Sequence, residues 1–305
     1  MNTQRPPTID PSAADRWAAL AGSASEGGAA TTSPWLHEEV ARRMEERLQW
    51  IVKEPRHWLH WQALRGGLQG HQLLRKRYPQ ALCYLLQDPP ATEPALRQAL
   101  AQPWWSPVRW KNPPRLYAPP EPVDLLWANM ALHMSADPQA LINRWYELLQ
   151  TDGFLMFSCL GPDTLAEIRA LYTREGWGAP AHEFTDMHDW GDMLVQAGFA
   201  EPVMDMERIT LNFSSPETLL AELRTLGRNL HPQRFAGLRG RAWRLALNEV
   251  LARTQADPSS PGRLRLHFEI IYGHAFKPPP RIPLQAQTTI SLDQMRGSLR
   301  QRSPP

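Results

Sequence analysis

Long hydrophobic runs are missing from this chain. No apolar stretch among its 305 residues reaches the ~20 that a membrane-crossing helix needs, and its first residues carry no apolar core of the secretory-signal kind. Cysteine is nearly absent: Cys83 and Cys159 are the only two. They are too few for a disulfide framework and lack metal-ligand spacing, so they read as buried free thiols in a reducing compartment. An excess of one charge is missing as well, since 33 Lys and Arg against 31 Asp and Glu leave a net charge of +2. That balance offers no basic surface for nucleic acid. Together these absences predict a soluble, cytoplasmic protein with no metal centre, no membrane contact and no nucleic-acid partner.

What is present is punctuation and periodicity. Thirty prolines and thirteen tryptophans are many for this length, and the prolines cluster where elements should end. Residues 1–33 are rich in Ala, Ser, Thr, Gly and Pro and read as a disordered arm. Leu36, Val40, Met44, Leu48 and Ile51 then recur at helical spacing, with Glu38/Arg42 and Glu39/Arg43 pairing on the wet side. Residues 57–61 predict a first strand, Gly66-Gly67 a turn, and 81–86 a second strand. Between 88 and 122 the Pro- and Trp-rich sequence leaves room only for a brief third strand, near 108–110 or 115–117.

The plainest stretch is 123–159. Its apolar run 123–128 suits a strand buried on both faces of a parallel sheet. Asp137-Pro138 opens a helix as N-cap and first residue, Leu141, Ile142, Trp145, Leu148 and Leu149 form its buried stripe, and Asp152-Gly153 is read as its end. A second apolar strand, 154–159, completes a right-handed crossover. Further on, 161–172 predicts a helix, and Thr185 or Asp186 caps another that Gly198 closes. Two alternating runs, Met204 to Phe213 with a bulge between Met206 and Ile209, and Leu264 to Tyr272, predict an antiparallel edge pair. Helices at 216–226 and 238–253 lie between them, and 277–305 reads as a Pro-rich disordered tail.

The segments VARRMEERLQWI, DLLWANMALHM, LLQTDGFLMFSCLGPDTLAEIR, HEFTDMHDWGDMLVQAGFAEPVMDMERITL and FEIIYGHAFKP, in that order, resemble the malonyl-acyl-carrier-protein O-methyltransferases of biotin synthesis. These belong to the class I S-adenosylmethionine-dependent methyltransferases, and a related branch hydroxylates an arginine in complex I assembly. The resemblance implies an α/β fold with a seven-stranded Rossmann-like sheet, an antiparallel edge pair and a helical insertion. Residues 34–276 would form that domain, with the lobe at about 216–253.

The resemblance also implies a donor site for S-adenosylmethionine. Laid on the family pattern, the acid ending the first strand falls at His60, and the loop glycines fall at Gln62, Leu64 and Gly66. The acid that receives the ribose falls at Gln87, with Asp88 one residue later; the third-strand acid has no clear counterpart, and Asn129 fits after the family's fourth strand. The expected cofactor-binding positions are therefore His60, Gln62, Gly66, Gln87, Asp88 and Asn129. In the loop only Gly66 keeps the family's residue, and Leu64 sets a branched side chain where a Cβ already crowds the cofactor. No acid or base is expected in catalysis, because a malonyl carboxylate is already ionised at pH 7. His133, Arg224 and Arg228 are the expected substrate-binding residues. Arg234, Arg239, Arg241 and Arg244 extend the cluster toward an acidic acyl carrier protein as partner. His182, His188 and His274 read as caps or surface residues. A second reading stays open: an inactive methyltransferase-fold protein that binds a protein partner or acts in assembly, through tryptophans such as Trp104, Trp105 and Trp110.

Overall fold

The computed structural model describes residues 9–20, 33–101, 113–116 and 121–280. Among these residues six strands form one sheet in the order β2-β1-β3-β4-β6-β5. β1 (His57–Trp61), β2 (Leu82–Leu86), β3 (Val123–Ala128) and β4 (Leu149–Leu160) run parallel, while β6 (Leu264–Phe276) pairs antiparallel with both β4 and β5 (Ala200–Phe213). The burial of β3 explains its apolar sequence, broken only by Asp124, because helices cover both faces of the sheet. One face packs against α2 (Trp35–Arg47), α4 (Leu68–Arg77), α9 (Pro216–Leu226) and α10 (Arg241–Thr254); the other packs against α6 (Pro138–Leu148) and α8 (Met187–Gln196).

Among the described residues the expected seven strands are six. Beside β2, where the seventh would lie, there is a single parallel bridge between Tyr84 and Arg115. Leu85 donates to the Arg115 carbonyl at 2.8 Å and Arg115 to that of Cys83 at 2.9 Å. Pro113 and Pro114 precede it, and neither has an N–H to continue a ladder. The alternative at 108–110 lies outside the described residues.

Three other expectations are corrected. Asp152-Gly153 does not end α6, which stops at Leu148; it bulges β4, with Asp152 at φ 63 and the register slipping between Val123 and Leu125 of β3. A Cβ on Gly153 would stand 2.8 Å from the Gln150 carbonyl, so the bulge requires glycine. In β5 the irregularity falls between Ala200 and Val203, and pairing runs unbroken through Met206 to Phe213. Within the arm, Pro11–Ala19 is a helix, α1, whose N-cap Asp10 accepts from Ser12 and Ala13. Its buried Ala13, Ala14 and Trp17 pack with Leu230, and Asp10 pairs with Arg234 at 2.8 Å. An apolar face with something to cover, rather than overall composition, decided the state of this segment.

Candidate functional site

The carboxyl ends of β1, β2 and β3 meet around residues 62–66. Gln62 takes a left-handed conformation (φ 52) that lets the chain turn sharply off β1. Its N–H donates to the Leu86 carbonyl at 2.7 Å and its Nε2 to that of Asp88 at 2.6 Å, stitching the turn to the end of β2. Residues Ala63–Gly66 then form a short helix, α3, with Leu64 only 2 % exposed. Gln87 is buried at the end of β2. With its carboxamide oriented to satisfy both of its groups, its oxygen accepts from the backbone N–H of Ala63 (3.0 Å) and Leu64 (3.2 Å), and its nitrogen donates to Thr92 Oγ1 (3.1 Å). The side chain at the ribose-acid position therefore fastens the loop from within.

Asn129, which follows β3, is equally committed: its Nδ2 donates to the carbonyls of His37 (2.8 Å) and Gly66 (2.6 Å), and its Oδ1 accepts from Ser158 Oγ (2.6 Å). His60 is wholly buried, stacks on His71 at 5.6 Å, and has no partner for either ring nitrogen. Burial, and after it the nearby His71, pushes its pKa well down, so it is neutral. A Cβ on Gly66 would come to 3.0 Å from His60 Nε2, which accounts for the glycine retained there. Asp88 alone of the expected donor residues offers a solvent-facing carboxylate, paired with Arg144 at the rim.

Two cavities flank this loop. Between Leu64, Gln87, Asp88 and Thr92 only about 10 Å³ remains, room for no more than a single water. On the other side a cavity of 560 Å³ opens, walled by Trp61, Gln62, Arg65, Asp88, Met130 and the α1 helix. That volume lies in the range of small-molecule sites. A second, largely apolar pocket of 260 Å³ lies under α9 and α10, with Leu165, Leu220, Leu223 and Phe268 in its wall. His133, Arg224 and Arg228, the expected substrate-binding residues, all line this second pocket. Met134 and Leu226 line both cavities, so the two adjoin.

His133 is buried and neutral, its pKa pushed well below the usual range by burial, with His182 and His37 adding to it. Its Nδ1 accepts from the Leu160 N–H at 3.4 Å, which leaves the proton on Nε2. His182 is not a cap or surface residue: it is 2 % exposed, lines the second pocket and donates Nε2–H to the His133 carbonyl at 2.9 Å. Burial brings its pKa down to about 4. His188 is exposed beside Asp186, and His274 is half-buried.

Sequence reasoning missed Arg65 and Trp17. Arg65 occupies a loop position between two aligned glycine sites, donates to the Trp17 and Leu20 carbonyls, and lies 4.1 Å over the Trp17 ring. The signal for Trp17 was available in Asp10-Pro11, the same capping pair as Asp137-Pro138. Of the remaining lobe arginines, Arg239 is engaged with the Trp177 carbonyl and the rings of Phe235 and Trp243, while Arg241 and Arg244 are exposed.

No protein-family model matches the sequence. Among curated proteins it is similar to the malonyl-acyl-carrier-protein O-methyltransferase of Gallionella capsiferriformans (strain ES-2), at 36 % identity over 81 % of this chain and 86 % of that protein. The enzyme of the same name from Laribacter hongkongensis (strain HLHK9) is 36 % identical over 81 % of this chain and 84 % of its own length. Among solved structures, the YcgJ protein of Bacillus subtilis covers 79 % of this chain with 99 % of its own at a TM-score of 0.48 and 9 % identity, too loose to add to the assignment.

Proposed function

We propose that this chain, which belongs to the malonyl-acyl-carrier-protein O-methyltransferase family, transfers a methyl group from S-adenosylmethionine to the free carboxylate of a malonyl group presented by an acyl carrier protein in the cytoplasm. The observation that carries the reading is the pair of adjoining cavities at the carboxyl edge of the sheet, which meet at Met134 and Leu226. A donor and an acceptor seated one in each can touch there.

The residues fit the donor in the 560 Å³ cavity and not at the loop. Arg65 offers a cation for its carboxylate, Asp88 an acceptor for its ribose hydroxyls, and Trp61, Met130 and Leu141 an apolar wall. Bound there, S-adenosylmethionine would supply an electrophilic sulfonium methyl group, which an already ionised carboxylate can accept with no proton to move. Neutral His133 and His182 accordingly have no acid–base duty; His133 Nε2–H is a donor that can orient the acceptor. Positioning by the walls does the rest.

Arg224 lines the second pocket, and Arg241 and Arg244 are exposed on the neighbouring helix of the lobe, cations suited to an acidic carrier. The competing reading, a non-catalytic partner-binding shell, leaned on Trp104, Trp105 and Trp110, which lie outside the described residues.

Thermal unfolding with S-adenosylhomocysteine tests the donor seat. At about 100 times its dissociation constant the ligand adds roughly 2.7 kcal/mol of stability, a rise of a few degrees for a chain of this size. No shift up to millimolar ligand overturns the reading.

A further inference from the structure

Some arginines of this protein are neutralised. Arg42, Arg43, Arg47, Arg77 and Arg234, among others, each meet a carboxylate. Three guanidinium groups at the junction of the two cavities do not: among the described residues, Arg65, Arg224 and Arg228 form no ion pair, and Arg65 and Arg228 donate only to backbone carbonyls. Arg65, half-buried, and Arg228, at the rim, both lie against the Trp17 ring, at 4.1 and 5.5 Å. They reach it from different elements, Arg65 from the loop after β1 and Arg228 from just beyond α9. Trp17 is fixed against them by the α1 helix, itself tied down through Asp10 to Arg234 and by the Asp10 N–H to the Leu230 carbonyl at 2.8 Å.

Holding like charges together without a counter-ion costs free energy. The strain registers on both groups: burial and then Arg228 pull the pKa of Arg65 down to about 10, and burial and then Arg224 lower that of Arg228. Both remain cationic at pH 7. Planar, bidentate guanidinium groups over an aromatic ring suit a planar anion of the same kind.

We propose that Arg65 and Arg228, both set against Trp17 where the two cavities meet, form a seat for a ligand carboxylate. The proposal rests on the methyltransferase reading only for which carboxylate that is: the amino-acid end of the donor, or the free end of the malonyl acceptor.

Three titrations decide it, on the full chain and on its Arg65→Gln and Arg228→Gln variants. Arg65 also holds α1, whereas Arg228 bonds only to carbonyls of its own segment, so Arg228→Gln keeps the test valid if Arg65→Gln fails to fold. Calorimetry compares S-adenosylhomocysteine with 5′-methylthioadenosine, which lacks the amino-acid end, and malonyl-pantetheine with acetyl-pantetheine, which lacks the free carboxylate. Loss of a charge-assisted bond should weaken the carboxylate-bearing member of one pair by about 10- to 100-fold and leave its neutral partner unchanged. The affected pair identifies the source. Sodium malonate, followed by thermal unfolding against sodium chloride of equal ionic strength, tests the seat without either nucleoside or thioester. Malonate stabilisation present in the native protein and lost in the variants supports it even if none of the four larger ligands binds, in which case the methyltransferase reading alone fails. Equal discrimination and equal malonate shifts in native and variant proteins, or no malonate shift at all, overturn the seat.

Discussion

Five histidines are buried around the site, and their protonation should make the fold acid-labile. His37, His60, His71, His133 and His182 all have lowered pKa values, with burial as the leading cause in each; those of His37 and His182 are about 4 and that of His71 about 3. In the unfolded chain each titrates near 6.5. The folded pKa is depressed, so stability is fully present above about pH 6.5 and is lost as pH falls toward the folded values, because the unfolded chain takes up protons the folded one refuses. Between pH 7 and pH 5 His37, His71 and His182 each withdraw about 2 kcal/mol. That loss, with His60 and His133 adding in the same direction, is a large part of the stability of a typical domain, so urea midpoints should fall steeply below pH 6. His60 supplies the internal control. Neither of its ring nitrogens has a partner, so His60→Leu removes two unsatisfied polar atoms and one titrating group. It should be as stable as the native protein or more so at pH 7, and should flatten the pH slope by about one proton. A urea midpoint that stays level from pH 7 to pH 5, or a His60→Leu variant with the native slope, would refute the reasoning.

Two further substitutions probe the loop and its cover. Gln87→Leu strips the acceptor from the buried N–H groups of Ala63 and Leu64 and should cost about 2–4 kcal/mol, whereas Gln87→Glu keeps both acceptors and should lose far less; equal urea midpoints for the two would contradict the bracing role. Trp17→Ala removes the buried anchor of α1 and the surface beneath Arg65. It should cost about 2–4 kcal/mol and raise proteolytic cleavage within residues 9–20, and unchanged protection would show that the helix is held by other means.

The central unit was legible because local and global signals agreed there. A fully buried strand, a capped amphipathic helix and a second apolar strand leave one topology. Elsewhere a local signal had two uses and tertiary structure chose between them. Asp152-Gly153 is as good a bulge as a helix end, and pairing with β3 made it a bulge. Asp10-Pro11 announces a helix as clearly as Asp137-Pro138 does, but its apolar face is small and depends on Leu230, more than two hundred residues away. His133, Arg224 and Arg228 come together around one pocket through the fold, from just past β3 and from α9 and just past it. The closing of the loop by Gln87 was not readable, since a glutamine at a ribose-acid position gives no hint that it turns inward. Nor was Arg65, whose significance comes from what it lacks, a carboxylate partner, and that is a property of the folded chain.

Methyl transfer itself is the most direct test. The purified protein would be incubated with malonyl-acyl carrier protein and S-adenosylmethionine labelled in its methyl group, and the carrier isolated. The account predicts label on the carrier as a base-labile methyl ester, with none on acetyl-acyl carrier protein, which has no free carboxylate. A malonyl carrier that stays unlabelled in the presence of folded protein would contradict it.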